Sequence, residues 1–309
     1  MTAIVFPGQG SQFLGMTKDF YDQFSVARET FELIEDVTKI QLREIIFEDR
    51  SELLNITQFT QLSIFCSSMC IFNVLNKEIN INKLSIRFAL GHSLGEYSAL
   101  VASKVISIED CSNLLKIRGE LMQNAYQENM SGMSAVIGLE CSALEKIIRD
   151  HSLNIEIAND NTPSQVVISG TIENLKKSES IIKDNGGKKI INLNVSAAFH
   201  SNIMKEAEEE MKLHLNAILF QKPIFSIISN FSAENSFDPK VIFNNLLNQM
   251  SNKVRWVESI KCLDKHKENN IIEIGPGKVL TGLIKKISNN FTVTNINSIN
   301  DLENLSNEL

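Results

Sequence analysis

The spacing of hydrophobic and polar positions changes several times along this chain, and each change predicts an element. Residues 3–6 are uniformly apolar and end at Pro7-Gly8-Gln9-Gly10, which reads as a short buried strand and its turn. Apolar positions three and four apart predict helices over residues 19–37, 60–77 and 108–125. Between the last two, residues 84–90 read as a buried strand and residues 96–102 as a helix, joined by Gly91-His92-Ser93-Leu94-Gly95. From residue 126 the pattern is different. Strands are predicted over 133–139, 155–158, 165–169 and 189–195, with helices over 142–151 and 172–184. A turn is predicted at Asn159-Asp160-Asn161-Thr162-Pro163, and Asn185-Gly186-Gly187 is a helix stop. The order β-α-β-β-α-β is the ferredoxin-like order. Residues 126–195 are therefore expected to form a small domain inserted into a larger α/β domain built from 1–125 and 196–309. Strands at 224–229 and 271–274 belong to the larger one.

The pentapeptide Gly91-His92-Ser93-Leu94-Gly95 fits the G-x-S-x-G nucleophile elbow, and its strand-before, helix-after setting is the one that motif requires. So tight a turn strains the central serine, and the flanking glycines remove the clash with the facing backbone. The serine oxygen then projects beneath a helix N-terminus, whose free N–H groups can stabilise an oxyanion. A bare motif of this kind is more often an ordinary solvated turn; the flanking elements favour a nucleophile.

Composition narrows the classes. The chain has 309 residues, 43% of them hydrophobic, which is enough for a full core. A net charge of −7 without a basic stripe speaks against a nucleic-acid partner. No long uncharged apolar run predicts a membrane span, and the first residues lack a signal-peptide layout, so a cytoplasmic protein is expected. The five cysteines are scattered and odd in number, as for free thiols in a reducing compartment. Cys66 and Cys70 read as buried small hydrophobes, and no metal site is expected.

A serine nucleophile needs a base. His92 adjoins Ser93, and neighbouring side chains at a sharp turn point apart. His151 ends a predicted helix, while His214 and His266 lie in polar helical stretches. His200 sits where the small domain returns to the large one, a favoured place for a site, and has a modest edge. Arg118 is a second signal. Leu114, Leu115, Leu121 and Met122 stand three and four residues from it, so it falls within the apolar stripe of its helix. A buried guanidinium must meet an anion, either an internal Asp or Glu or a bound carboxylate. The turns Gly8-Gln9-Gly10-Ser11-Gln12 and Gly275-Pro276-Gly277-Lys278 have neither P-loop nor dinucleotide spacing. The first could bring a backbone N–H to an oxyanion.

Taken in order, Pro7-Gly8-Gln9-Gly10-Ser11-Gln12, the elbow, Lys116-Ile117-Arg118-Gly119, Ser164-Gln165-Val166-Val167-Ile168-Ser169-Gly170, Ala198-Phe199-His200-Ser201 and Gly275-Pro276-Gly277-Lys278 resemble the malonyl-CoA:acyl carrier protein transacylase family over nearly the whole chain. The resemblance implies an α/β-hydrolase-like large domain with an inserted ferredoxin-like small domain. It implies Ser93 as nucleophile, His200 as general base and acid, and Arg118 as partner of the free malonyl carboxylate. The amides of Gln9 and Leu94 would form the oxyanion hole. Gln249 matches the position whose backbone carbonyl holds the histidine, and Phe199 and His92 would line the substrate site. Malonyl-CoA would be the substrate and an acyl carrier protein the partner, bearing its own phosphopantetheine, with no cofactor resident on what is expected to be a monomer.

Ala198-Phe199-His200-Ser201 is also similar to freestanding acyltransferases that serve polyketide synthases in trans, and Phe199 to a signature that selects malonyl over branched units. The alternatives are a fatty-acid malonyl transacylase and a trans-acting acyl hydrolase of the same fold. Carrier proteins are acidic, so Lys188, Lys189, Lys285 and Lys286 are candidate docking positions.

Overall fold

The computed structural model describes residues 1–79, 81–127 and 129–308. Strands β1 (Thr2–Phe6) and β2 (Ile86–Gly91) open a large sheet. Next come β3 (Ser131–Ile137), β4 (Glu156–Thr162), β5 (Gln165–Thr171) and β6 (Lys189–Asn192), which form a small sheet of their own. The chain then returns to the large sheet with β7 (Ser226–Ile228), β8 (Asn235–Ser236), β9 (Asn270–Ile274) and β10 (Thr292–Ile296).

The large sheet has the order β10-β9-β1-β2-β7-β8 and is parallel except at its β7–β8 edge. Its middle strand β1 is buried along its whole length, as a parallel strand covered on both faces must be. One face packs against the long helix Thr57–Ile79 and its neighbours, the other against Val254, Trp256 and Ile260. Helix Thr57–Ile79 has the length and hydropathy to cross a membrane, yet 83% of that window is buried inside the fold. It is the core helix of the large layer. The small sheet is antiparallel with the order β4-β5-β3-β6, the ferredoxin-like arrangement, and has its own core around Val136, Val166 and Ile168. The fold is thus α/β with a separate antiparallel unit.

Two expectations need correction. Helix 19–37 is two helices, Lys18–Gln23 and Ser25–Thr38, because Phe24 is extended at φ −113°, ψ 130°. The turn expected at 159–163 is strand: β4 runs through Thr162, and the reversal falls at Pro163-Ser164. Its Asn159, Asp160 and Asn161 are polar yet buried, because this end of β4 faces the large unit and not the small core. The Asp160 amide donates to the Val254 carbonyl (3.0 Å), and the Val254 amide to Ala158 (2.8 Å). These bonds join the small sheet to the segment just before Trp256.

The turns at the carboxyl ends of β1 and β2 meet at very short range. A Cβ on Gly95 would lie 2.2 Å from the Phe6 carbonyl oxygen, and one on Gly8 would lie 2.4 Å from that of His92. Only hydrogen fits at either place. Gly95→Ala is expected to destabilise the protein by about 1–3 kcal/mol through this forced displacement. A urea midpoint equal to wild type would show that the two turns can separate freely.

Candidate active site

The elbow is built as its sequence demands. Ser93 has φ 52°, in the left-handed region that strains a non-glycine residue. Asn230 holds it there: its Oδ1 accepts the Ser93 amide (2.7 Å) and its Nδ2 donates to Gly91 (2.6 Å). The helix Gly95–Ala102 begins directly afterwards. The Leu94 amide and the Gln9 amide, at the ends of β2 and β1, donate to no other group among the described residues. Both residues border the cleft next to Ser93.

His200 meets the serine. Its Nε2 lies 2.8 Å from Ser93 Oγ. On the other side of the ring, Nδ1 lies 3.0 Å from the Gln249 carbonyl and 3.2 Å from that of Asn252. Two carbonyl acceptors require Nδ1 to carry the proton, so Nε2 presents its lone pair to the Ser93 hydroxyl. That is the tautomer a general base needs, set here by two backbone carbonyls. Burial, reinforced by the positive charge of Arg118, holds the imidazole down to about 3, so the base form persists well into acid.

Arg118 is fully buried. Its Nη1 donates to Gln61 Oε1, and its Nη2 donates to Ser93 Oγ (3.1 Å) and Gln249 Oε1 (2.9 Å). Its Nε has no hydrogen-bond partner among the described residues. All three acceptors are neutral, and no ion pair to Arg118 occurs among the described residues. The nearest carboxylate in this network is that of buried Glu96, reached only through Gln249, whose Nε2 donates to Glu96 Oε2 (2.8 Å) and to the Ser93 carbonyl (2.9 Å). The Tyr97 ring adds a cation–π contact at 5.4 Å. Burial pulls the guanidinium below its usual value, but arginine stays a cation.

The cleft above these groups has a volume of about 320 Å³ and lies between the two sheets. Gln9 and Leu94 line it on the large side, with Met133, Asn161 and Val167 on the small side. Phe199 stands beside His200, almost fully buried, its carbonyl accepting the Ser169 hydroxyl (2.5 Å). The His92 ring points away from Ser93, into the small unit, with Nε2 2.8 Å from Asn161 Oδ1. Arg118 lies behind Ser93, outside the cleft's immediate lining. Lys188, Lys189, Lys285 and Lys286 are exposed and none lines the cleft. His151 and His266 are exposed, away from it.

The family profile of the acyl transferase domain matches residues 3–301. The chain belongs to this family. It is 37% identical over 289 residues to the malonyl CoA-acyl carrier protein transacylase of Bacillus subtilis, covering 93% of this chain and 90% of that one. Identity to the protein of the same name from Staphylococcus aureus is 35% over 305 residues, covering 98% and 97%. Among solved structures, the acyl-carrier-protein-S-malonyltransferase of Bartonella henselae superimposes with a TM-score of 0.94 at 36% identity, over 99% of this chain and 98% of that one. A malonyl-transacylase solved in complex with its type II polyketide synthase acyl-carrier protein superimposes with a TM-score of 0.93 at 32% identity, over 100% and 99%.

Sequence reasoning missed three contributors to this acyl transferase site. Gln61 is a buried amide in the first turns of an apolar helix and accepts from Arg118. Its one signal was polarity at the head of a hydrophobic run. Asn230 follows β7 and clamps the elbow, and Asn252 supplies the second carbonyl to His200. Nothing in their spacing marks either. Because His200 is held neutral, kcat/KM for acylation should stay level from about pH 7.5 down to about 5 instead of breaking at the usual histidine value of about 6.5. A pH series on enzyme verified as folded checks this; a break near 6.5 would mean an ordinary solvated imidazole.

Proposed function

We propose that this acyltransferase moves a malonyl group from coenzyme A to the phosphopantetheine thiol of an acyl carrier protein, through an ester on Ser93. The observation that carries the reading is Arg118: a buried cation with no direct ion pair among the described residues, whose Nη2 already touches the nucleophile oxygen. A bound carboxylate beside Ser93 would give it the charged, bidentate partner it lacks.

In the first half-reaction, Ser93 Oγ attacks the thioester carbonyl as His200 Nε2 takes its proton. The amides of Gln9 and Leu94 receive the oxyanion. Collapse breaks the C–S bond, and the proton on His200 goes to the departing coenzyme A sulfur. In the second, His200 takes a proton from the carrier thiol, the sulfur attacks the Ser93 ester, and the proton returns to Ser93 Oγ. Atoms and protons balance without a resident cofactor. Because the acyl group rests on Ser93 between the two half-reactions, the order is ping-pong, and the expected compartment is the cytoplasm. A hydrolase reading is less well served, since an enzyme clearing ordinary acyl chains has no use for a buried cation at the acyl site.

Mass spectrometry of intact protein after exposure to malonyl-CoA should show one malonyl adduct, absent in Ser93→Ala. Steady release of free malonate would instead make the protein a hydrolase. Arg118→Ala should lower preference for malonyl-CoA over acetyl-CoA by about ten-fold or more, as a charge-assisted contact contributes ~1.5–3 kcal/mol. Equal losses with both donors would reduce Arg118 to a structural role.

For the carrier, the Ala198-Phe199-His200-Ser201 quartet supports a polyketide synthase served in trans, with Phe199 crowding any branch beside the carboxylate. Transfer to polyketide and fatty-acid carrier proteins, measured side by side, should favour the polyketide carrier; a clear preference for the fatty-acid carrier would place the enzyme in primary metabolism.

A further inference from the structure

The carbonyls that fix the tautomer of His200 belong to a short irregular segment, 249–252, which follows helix Pro239–Leu247 and lies in neither sheet nor helix. Irregular backbone does not by itself aim two carbonyls at one ring nitrogen. Something must hold it.

The holder is on the far side of the segment. Helix Lys205–Leu215 starts five residues after His200, and its first turn carries Glu208. Glu208 is 6% exposed and Ser251 4% exposed. Glu208 Oε2 accepts both the Ser251 amide (2.9 Å) and the Ser251 hydroxyl (2.7 Å). Ser251 Oγ in turn accepts from Asn252 Nδ2 (3.2 Å), which also donates to the Asn248 carbonyl (2.9 Å). One carboxylate oxygen thus grips Ser251, which lies between Gln249 and Asn252, the two residues whose carbonyls accept from His200. The contacts form a closed ring: His200 leads into the helix, the helix returns Glu208 to Ser251, and the segment around Ser251 returns two carbonyls to His200.

We propose that Glu208 is a positioning residue for catalysis, acting one step removed from the imidazole. In a Ser-His-Asp triad the acid touches the ring and sets its tautomer directly. Here the carboxylate sets the backbone, and the backbone sets the ring. The proposal deepens the transfer reading above and rests on it, since it matters only if His200 is the base. Glu208 touches neither Arg118 nor the cleft lining, and Gln61 holds the guanidinium independently of segment 249–252, although Gln249 in that segment also accepts from Arg118. Proton transfer should therefore suffer more than binding of the donor.

The test is acylation by malonyl-CoA in single-turnover and steady-state form, with Glu208→Ala, Glu208→Gln and Ser251→Ala in the full chain. Glu208→Ala should lower the acylation rate by about ten- to a hundred-fold, the scale of small misplacements of a catalytic group, with KM for malonyl-CoA within two-fold. The acidic limb of its pH profile should move up toward about 6.5 as the loosened ring gains water. Glu208→Gln, whose amide oxygen can still accept both Ser251 bonds but without the charge, should recover part of the rate, and Ser251→Ala, which keeps only the amide bond, should fall between. Glu209→Gln, an exposed neighbour on the same helix, should match wild type. A folded Glu208→Ala with the wild-type rate and acidic limb overturns the proposal, as does a loss carried by KM. Should Glu208→Ala fail to fold, an unchanged rate and limb in both Glu208→Gln and Ser251→Ala overturns it instead. Failure of wild type to form the Ser93 ester would strike the transfer reading, whereas a normal ester with an undiminished Glu208→Ala strikes only this one.

Discussion

A guanidinium sealed from water and, among the described residues, without a carboxylate in direct contact is the constraint around which the rest of the site is arranged. Burying such a charge costs several kcal/mol unless it is paired, and replacing water with two amide oxygens, a hydroxyl and an aromatic face compensates only in part. The fold meets that cost by packing Arg118 between the long core helix, which supplies Gln61, and the segment after Pro239–Leu247, which supplies Gln249. Gln249 then links four groups at once. Its side chain joins Arg118 to Glu96 and to the Ser93 carbonyl, while its own carbonyl holds His200. The residue that steadies the cation also orients the base.

The same charge bears on the histidine. Burial first, and the charge of Arg118 in addition, keep the imidazole neutral before substrate arrives. On the proposed reading, a substrate carboxylate against Arg118 would neutralise the guanidinium and remove part of the repulsion that an imidazolium would feel, just when the ring must take a proton. Substrate selection and base strength would then be coupled through one residue, and a neutral acyl group would gain neither effect. Strain serves the same end. Ser93 and His200 both hold positive φ, and the network of Asn230, Gln249 and Asn252 keeps the two in register.

Much of this was legible in the sequence because the chemistry left local marks. The elbow is a five-residue word with its strand and helix attached, and the Arg118 position follows from helical periodicity alone. The antiparallel insertion was readable from the order of its elements. The illegible parts are those where contact is made across long separations. Asn230 lies 137 residues from the serine amide it binds, and Asn252 lies 52 from the ring it holds. The β4 end misled because a strand that faces a polar cleft carries Asn and Asp where periodicity looks for Val and Ile. The break at Phe24 was hidden because its aromatic side chain fits the apolar pattern while its backbone leaves the helix.

We propose that Arg118 waits for the free carboxylate of the acyl group, and a crystal structure of the malonyl ester trapped on Ser93 would show whether it does. Arg118 should give up its contact with Ser93 Oγ and grip both carboxylate oxygens, with Gln61 and Gln249 still bound to it. A malonyl carboxylate turned to solvent, with Arg118 unmoved, would contradict it.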